Sequence, residues 1–216
     1  MKRKQDAGRP RPDGPAPPFA AAAAPDWSAW PVCGIDEAGR GPLAGPVYAA
    51  AVVLPPDFPL NLLDDSKRLK EGARQAAFTV IAERAWWAID WSTPAEIDEI
   101  NILQASLLAM RRAWRQLQAR LPDNLRACPV LVDGNRPPDL PGGCRTVVRG
   151  DSLVPAIMAA SILAKVARDR AMVRFDWLYP EYGYARHKGY PTAAHRACCL
   201  SIGPSPLQRL TFRCQV

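Results

Sequence analysis

Four acidic residues stand where a chain of strands and helices can bring chemistry together. Asp36 and Glu37 are adjacent, at the end of a short apolar stretch from Val32; Asp133 closes Val130-Leu131-Val132; Asp151 follows the stretch from Arg145 to Val148 by way of Arg149 and Gly150. In open α/β sheets the ends of neighbouring strands form the crevice where ligands bind, so four carboxylates converge if these strands are neighbours. Like charges crowded in a low-dielectric cleft raise one another's pKa and call for protons or a cation. Oxygen donors without Cys or His at ligand spacing suit Mg²⁺ or Mn²⁺. Two such ions ~3.5–4 Å apart activate a water and stabilise the leaving oxygen of an in-line phosphoryl displacement, which is nuclease chemistry. Plainer roles are open at each position. Asp151 can cap a helix, Asp133-Gly134 can be an ordinary turn, and Glu37 can point away from Asp36, because successive strand side chains face opposite sides.

The elements that must position these groups can be read from apolar periodicity. Val32 to Asp36 predicts a short strand, Val47 to Leu54 a strand buried on both faces, and Trp86 to Ser92 a third, with Gly39 to Pro46 as a Gly/Pro-rich connection. Asp65-Ser66 offers N-cap groups for a helix running to about Arg84. Thr93-Pro94-Ala95-Glu96 is a capping box with Pro at the first helical position, and Ile97, Ile100, Leu103, Leu107, Met110, Trp114 and Leu117 form one apolar stripe behind it. One long amphipathic helix is expected there. After the strands at Val130 and Arg145, a helix from about Pro155 carries Ala156, Ala159, Ala160, Ala164, Ala167 and Ala171, small residues that let its backbone approach a sheet. A last helix is expected from Thr192 to Ser201.

Composition narrows the class. At 216 residues with 48% hydrophobic and 23% charged types, the chain suits one globular domain and a tail, with two domains cramped. Residues 1–30 are rich in Pro and Ala without periodic apolar pattern and are expected to be a disordered tail, leaving 31–216 as the folded domain. That tail holds five basic and three acidic residues, so most of the formal charge of +7 belongs to the folded part, as a polyanionic partner would favour. Six scattered cysteines without a C-x-x-C pair argue against a zinc site or a disulfide scaffold. No run approaches the ~18 apolar residues of a membrane span, and the basic start lacks the hydrophobic segment of a secretory signal. No membrane association and a cytoplasmic location are the expectation.

Five blocks in order carry a resemblance. The stretch Gly34-Ile35-Asp36-Glu37-Ala38-Gly39-Arg40-Gly41-Pro42-Leu43-Ala44-Gly45-Pro46 resembles the opening signature of type II ribonuclease H. Asp65-Ser66-Lys67, Val132-Asp133-Gly134-Asn135, Lys165-Val166-Ala167-Arg168-Asp169 and His187-Lys188-Gly189-Tyr190-Pro191-Thr192 resemble later blocks of that family. The resemblance spans roughly residues 33 to 213 and implies a ribonuclease H-like α/β fold: a mixed five-stranded sheet, its first three strands antiparallel, flanked by helices and followed by a C-terminal helical segment.

The same resemblance implies that Asp36, Glu37, Asp133 and Asp151 are the catalytic, metal-binding set for Mn²⁺ or Mg²⁺. It implies that the Gly39-Arg40-Gly41 loop brings main-chain groups to the 2′-hydroxyl, by which a protein tells RNA from DNA, and that Tyr190 stacks near the sugar at an RNA-to-DNA junction and bonds the ribose. Lys67 resembles a phosphate contact. The implied substrates are RNA/DNA hybrid and duplex DNA bearing ribonucleotides, as in ribonucleotide excision repair. A monomer without an obligate protein partner is expected. His187, His195 and Asp169 stay outside the metal set. Where the family often carries a His and consecutive basic residues, this chain has Pro206-Leu207-Gln208-Arg209-Leu210-Thr211-Phe212, which puts duplex contacts of that segment in doubt. Two other classes remain: another nuclease or polynucleotide transferase on the same fold, and a duplex-binding module, which four acids in a phosphate-facing cleft would oppose.

Overall fold

The computed structural model describes residues 30–63 and 69–213. Five strands form one mixed sheet: β1 (Cys33–Ala38), β2 (Val47–Val53), β3 (Trp86–Ser92), β4 (Val130–Asp133) and β5 (Arg145–Val147). Their order is β3-β2-β1-β4-β5. The β3-β2-β1 part is antiparallel, while β4 and β5 add in parallel to β1. The chain returns to the β1 edge only after a helical crossover, as parallel addition requires.

The helices are α1 (Glu71–Arg84), α2 (Pro94–Gln118), α3 (Pro155–Leu178), the single turn α4 (Tyr184–His187) and α5 (Ala193–Ile202). On one face of the sheet α2 buries Met110, Trp114 and Leu117 against Cys33, Ile35, Ala49, Ala51 and Val53. On the other, α1 and α3 pack Ile81, Ala159, Ala160 and Leu163 against Ala50 and Val52. Alternate residues of β2 thus enter opposite cores, which is why its sequence is apolar throughout. At Gly34 the start of α3 lies so close that a Cβ would fall 2.1 Å from the Ala156 carbonyl carbon. None of the helices among the described residues is long and apolar enough to cross a membrane.

Two expectations need correction. The helix expected from Asp65-Ser66 begins at Glu71, with Lys70 as its N-cap; Asp65, Ser66 and Lys67 lie outside the described residues, as do 1–29 of the expected tail. The long helix after Thr93 is interrupted: Asn101 adopts φ 66° and ψ 163° inside α2. Its Oδ1 accepts from the N–H groups of Leu103 and Gln104 at 3.0 and 3.1 Å, so it caps a restarted helix. The break turns the second half, which buries Ala105, Ala109 and Ala113 beside Met110, Trp114 and Leu117, while Leu103 and Leu107 of the expected stripe are only partly buried. The capping box forms as expected, with Thr93 Oγ1 accepting from Glu96 N and Glu96 Oε2 from Thr93 N.

Candidate active site

β1 runs between β2 and β4 and carries Asp36 and Glu37 near its C-terminal end. Asp36 is 5% exposed and lies towards α3, where Ser161 supplies a hydrogen bond. Its Oδ1 accepts from the Glu37 N–H at 2.7 Å. Glu37 turns the other way, towards the second half of α2, as strand alternation demands, yet remains in the same cleft as Asp133. Glu37, Arg40, Asp133 and Asn135 line one side of a cavity of about 260 Å³ whose other side is Leu103, Ser106, Leu107 and Met110. The break at Asn101 therefore supplies this apolar wall.

Asp133 ends β4, and Asp151, 8% exposed, lies in a short 3-10 turn (Gly150–Ser152) after β5. The Asp151 N–H donates to Asp133 Oδ1 at 3.3 Å. Asp151 does not cap the following helix, because α3 starts at Pro155 behind Val154 with no side-chain cap. Gly134, just after Asp133, has φ +95°, and its N–H donates to Val147 O at 3.0 Å, carrying the pairing with β5 one residue past β4.

Burial, then the charges of Glu37 and Asp133, hold the Asp36 carboxyl well above the usual carboxylate range. Glu37 is also raised by burial, opposed by Arg40, whose Nη1 stands 3.3 Å from Glu37 Oε1. The strands thus gather four carboxylates at one end of the sheet. As the side chains stand, no three acidic, His or Cys groups among the described residues enclose a common point closely enough to hold an ion. The donor set itself fits a hard divalent cation: it is all oxygen, and burial with the neighbouring carboxylates raises Asp36 and Glu37, a penalty on their charged forms that a cation relieves.

The loop from Gly39 to Pro46 lies beside the carboxylates and faces the segment from His187 to Thr192. A Cβ built on Gly41 would meet Tyr190 Cε1 at 3.9 Å, so the loop and the Tyr190 ring border the same opening. Tyr190 is 41% exposed, with Lys165 Nζ and Arg168 Cζ each 5.9 Å from its ring centre. His195 and His187 form a stacked pair at 4.4 Å behind it, and His195 Nδ1 is 2.9 Å from Tyr190 O. The two histidines pack on each other and His195 tethers this segment. Asp169 pairs with Lys165 at 2.8 Å.

Sequence reading missed Arg168 and Arg209 as parts of this site. Both are buried and both bond the main chain of the 39–46 loop. The only signal was the place of Arg168 within a resembling block, and for Arg209 there was none, since an arginine near a chain end reads as solvated.

Comparison with known proteins agrees with this architecture. The family model described as ribonuclease HII matches residues 33–214. The ribonuclease HII of Dechloromonas aromatica is 53% identical over 182 residues, covering 84% of this chain and 90% of the relative. That of Treponema denticola is 49% identical over 192 residues, covering 84% and 97%. Among solved structures, ribonuclease H2 from Pyrococcus horikoshii OT3 superposes with a TM-score of 0.62 at 26% identity, over 85% of this chain and 94% of that one. Bst-RNase HIII in complex with Mn²⁺ shares the fold with a TM-score of 0.66 at 17% identity, over 85% and 67%. Because the matched span runs from the first residue of β1 through the carboxylates, the glycine loop and the Tyr190 segment to the C-terminal arginine, the chain belongs to the ribonuclease HII family of metal-dependent endoribonucleases.

Proposed function

We propose that this enzyme cleaves the RNA strand of RNA/DNA hybrids and cuts on the 5′ side of single ribonucleotides embedded in duplex DNA, leaving a 3′-hydroxyl and a 5′-phosphate. The observation that carries this reading is the placement of Asp36, Glu37, Asp133 and Asp151 at the ends of adjacent strands, beside a loop that borders one opening with Tyr190. Carboxylates alone suit any metal-dependent nuclease. The loop and the tyrosine add a second surface beside them, and a DNA-only enzyme has no use for a 2′-hydroxyl reader.

Asp36, Glu37, Asp133 and Asp151 would hold Mn²⁺ or Mg²⁺. When bound, a pair of such ions supplies a water of lowered pKa and counter-charge for the leaving oxygen. Asp36, the most enclosed of the four, is kept in place by Ser161 and by the Glu37 N–H. Arg40 holds Glu37 from the solvent side and sets a positive charge at the rim, where a phosphate approaches. Gly41 leaves the sugar room against Tyr190, whose ring stacks on the ribose face and whose hydroxyl bonds it. Lys67 contacts a phosphate by analogy of sequence alone.

The test is incubation with Mg²⁺ and with Mn²⁺ on three duplexes of one sequence: all DNA, DNA with one ribonucleotide, and RNA/DNA hybrid, with the cut mapped to the nucleotide. Cleavage of the latter two, 5′ of the ribonucleotide, is expected. Equal cleavage of all-DNA duplex would make the protein a general nuclease, and binding without cleavage would make it a duplex-binding module.

A further inference from the structure

Arg168 on α3 and Arg209 in the C-terminal segment are buried, 1% and 0% exposed, and among the described residues neither forms an ion pair. Their donors go to main-chain carbonyls. Arg209 donates from Nε to Gly45 O at 2.9 Å, from Nη1 to Arg40 O at 2.9 Å and from Nη2 to Gly39 O at 2.6 Å. Arg168 donates from Nε to Pro46 O at 3.0 Å, from Nη2 to Ala44 O at 3.2 Å and from Nη1 to Lys188 O at 3.0 Å. Between them the two forks hold five carbonyls of the 39–46 loop and one of the segment carrying Tyr190.

Two like charges buried side by side are unfavourable. Burial, then the neighbouring Arg168, pushes the Arg209 guanidinium down to about 9. Packing alone would be better served by apolar side chains of similar volume. What the forks provide instead is direction. In a trans peptide the C=O and the following N–H point opposite ways. With Gly39 O and Arg40 O drawn inward to Arg209, the N–H groups of Arg40 and Gly41 point away from it, and both residues are exposed.

We propose that Arg209, with Arg168 beside it, is a positioning residue for ribose recognition: the two guanidiniums clasp the 39–46 loop in the shape that presents the Arg40 and Gly41 amides to the 2′-hydroxyl. This rests on the reading of that loop as the ribonucleotide reader. It also makes the reader depend on the docked C-terminal segment. Arg209 N donates to Leu43 O and Gly45 N to Leu207 O, while Asp98 accepts from Leu210 N, Thr211 N and Thr211 Oγ1.

The test uses the full chain, Arg209→Met and Arg209→Lys, the latter keeping the charge but losing the fork and serving if Arg209→Met does not fold. Two readouts are taken: amide hydrogen exchange of residues 39–46 in the free protein, and affinity in chelator for all-DNA duplex and for the same duplex with one ribonucleotide. Exchange in the loop is expected to rise by roughly tenfold or more, with β1 to β3 unchanged. The preference for the ribonucleotide duplex should shrink towards unity while all-DNA affinity stays within about twofold, since a buried charge is not a phosphate contact. Unchanged loop exchange in Arg209→Lys overturns the clasp, whatever duplex the wild type prefers. A loosened loop with the preference intact, or parallel loss of both affinities, overturns the role in recognition. A wild type that binds both duplexes alike, with the loop loosened in Arg209→Lys, overturns the ribose-reading assignment and not the clasp.

Discussion

Gly39→Ala and Gly41→Ala are two residues apart in one loop and should fail in different ways. Gly39 has φ +99°, and a Cβ there would sit 2.0 Å from Arg168 Nε and 2.4 Å from Arg168 Cδ. That guanidinium cannot swing aside, because three carbonyls hold it. The left-handed backbone costs an L-residue about 1–2 kcal/mol, and an extra methyl in a filled interior about 1–3 kcal/mol, so Gly39→Ala should destabilise by roughly 2–5 kcal/mol. For a domain of this size each kcal/mol lowers Tm by about 2–4 °C, which puts the expected fall at roughly 4–20 °C. Gly41 is exposed, has no positive φ, and its nearest neighbour for a Cβ is Tyr190 Cε1 at 3.9 Å. Gly41→Ala should change stability by no more than about 0.5 kcal/mol, while its methyl narrows the opening that the sugar enters and raises KM for the hybrid. Scanning calorimetry with hybrid-cleavage kinetics separates the two. Gly39→Ala melting with the wild type, or Gly41→Ala losing as much stability as Gly39→Ala, would rule out this difference between the two positions.

Other outcomes follow from the same geometry. Asp36→Asn should abolish cleavage yet stabilise the metal-free protein at neutral pH. The folded carboxyl titrates well above its ordinary range, so ionisation opposes folding; the penalty is absent below the unfolded value of about 3.9 and complete above the folded one. Melts in chelator should show the gain shrinking as pH falls towards 4, and a variant less stable than wild type at pH 7 would contradict this sign. Tyr190→Phe should lose a neutral hydrogen bond worth about 0.5–1.5 kcal/mol in ribonucleotide cleavage, and Tyr190→Ala the stacking as well. If Tyr190→Ala keeps the wild-type ratio between single-ribonucleotide and continuous-hybrid cleavage, the residue only packs. Thr93→Ala opens the capping box of α2 and should lower stability by about 1 kcal/mol, read as a shifted urea midpoint with an unchanged slope.

Local signals carried the elements of this protein. Strand periodicity marks β1 to β5 to within a residue or two, because burial on one or both faces writes itself directly into a period of two or an unbroken apolar run. The Thr93 capping box is likewise a contact among residues three apart. The carboxylates were legible for a related reason, as Asp36 and Glu37 lie near the end of β1, Asp133 ends β4 and Asp151 follows β5, and only their mutual approach needed the sheet order β3-β2-β1-β4-β5. That order depends on pairing between segments nearly a hundred residues apart, which no local pattern encodes. Tertiary packing also decided the break at Asn101, where a polar residue within an apolar stripe becomes a cap and turns Leu103 and Leu107 towards the cleft. Arg168 and Arg209 are the furthest from sequence legibility. A guanidinium is the same group on a solvated surface or in a core, and only the carbonyls that surround it in the folded chain decide which it is.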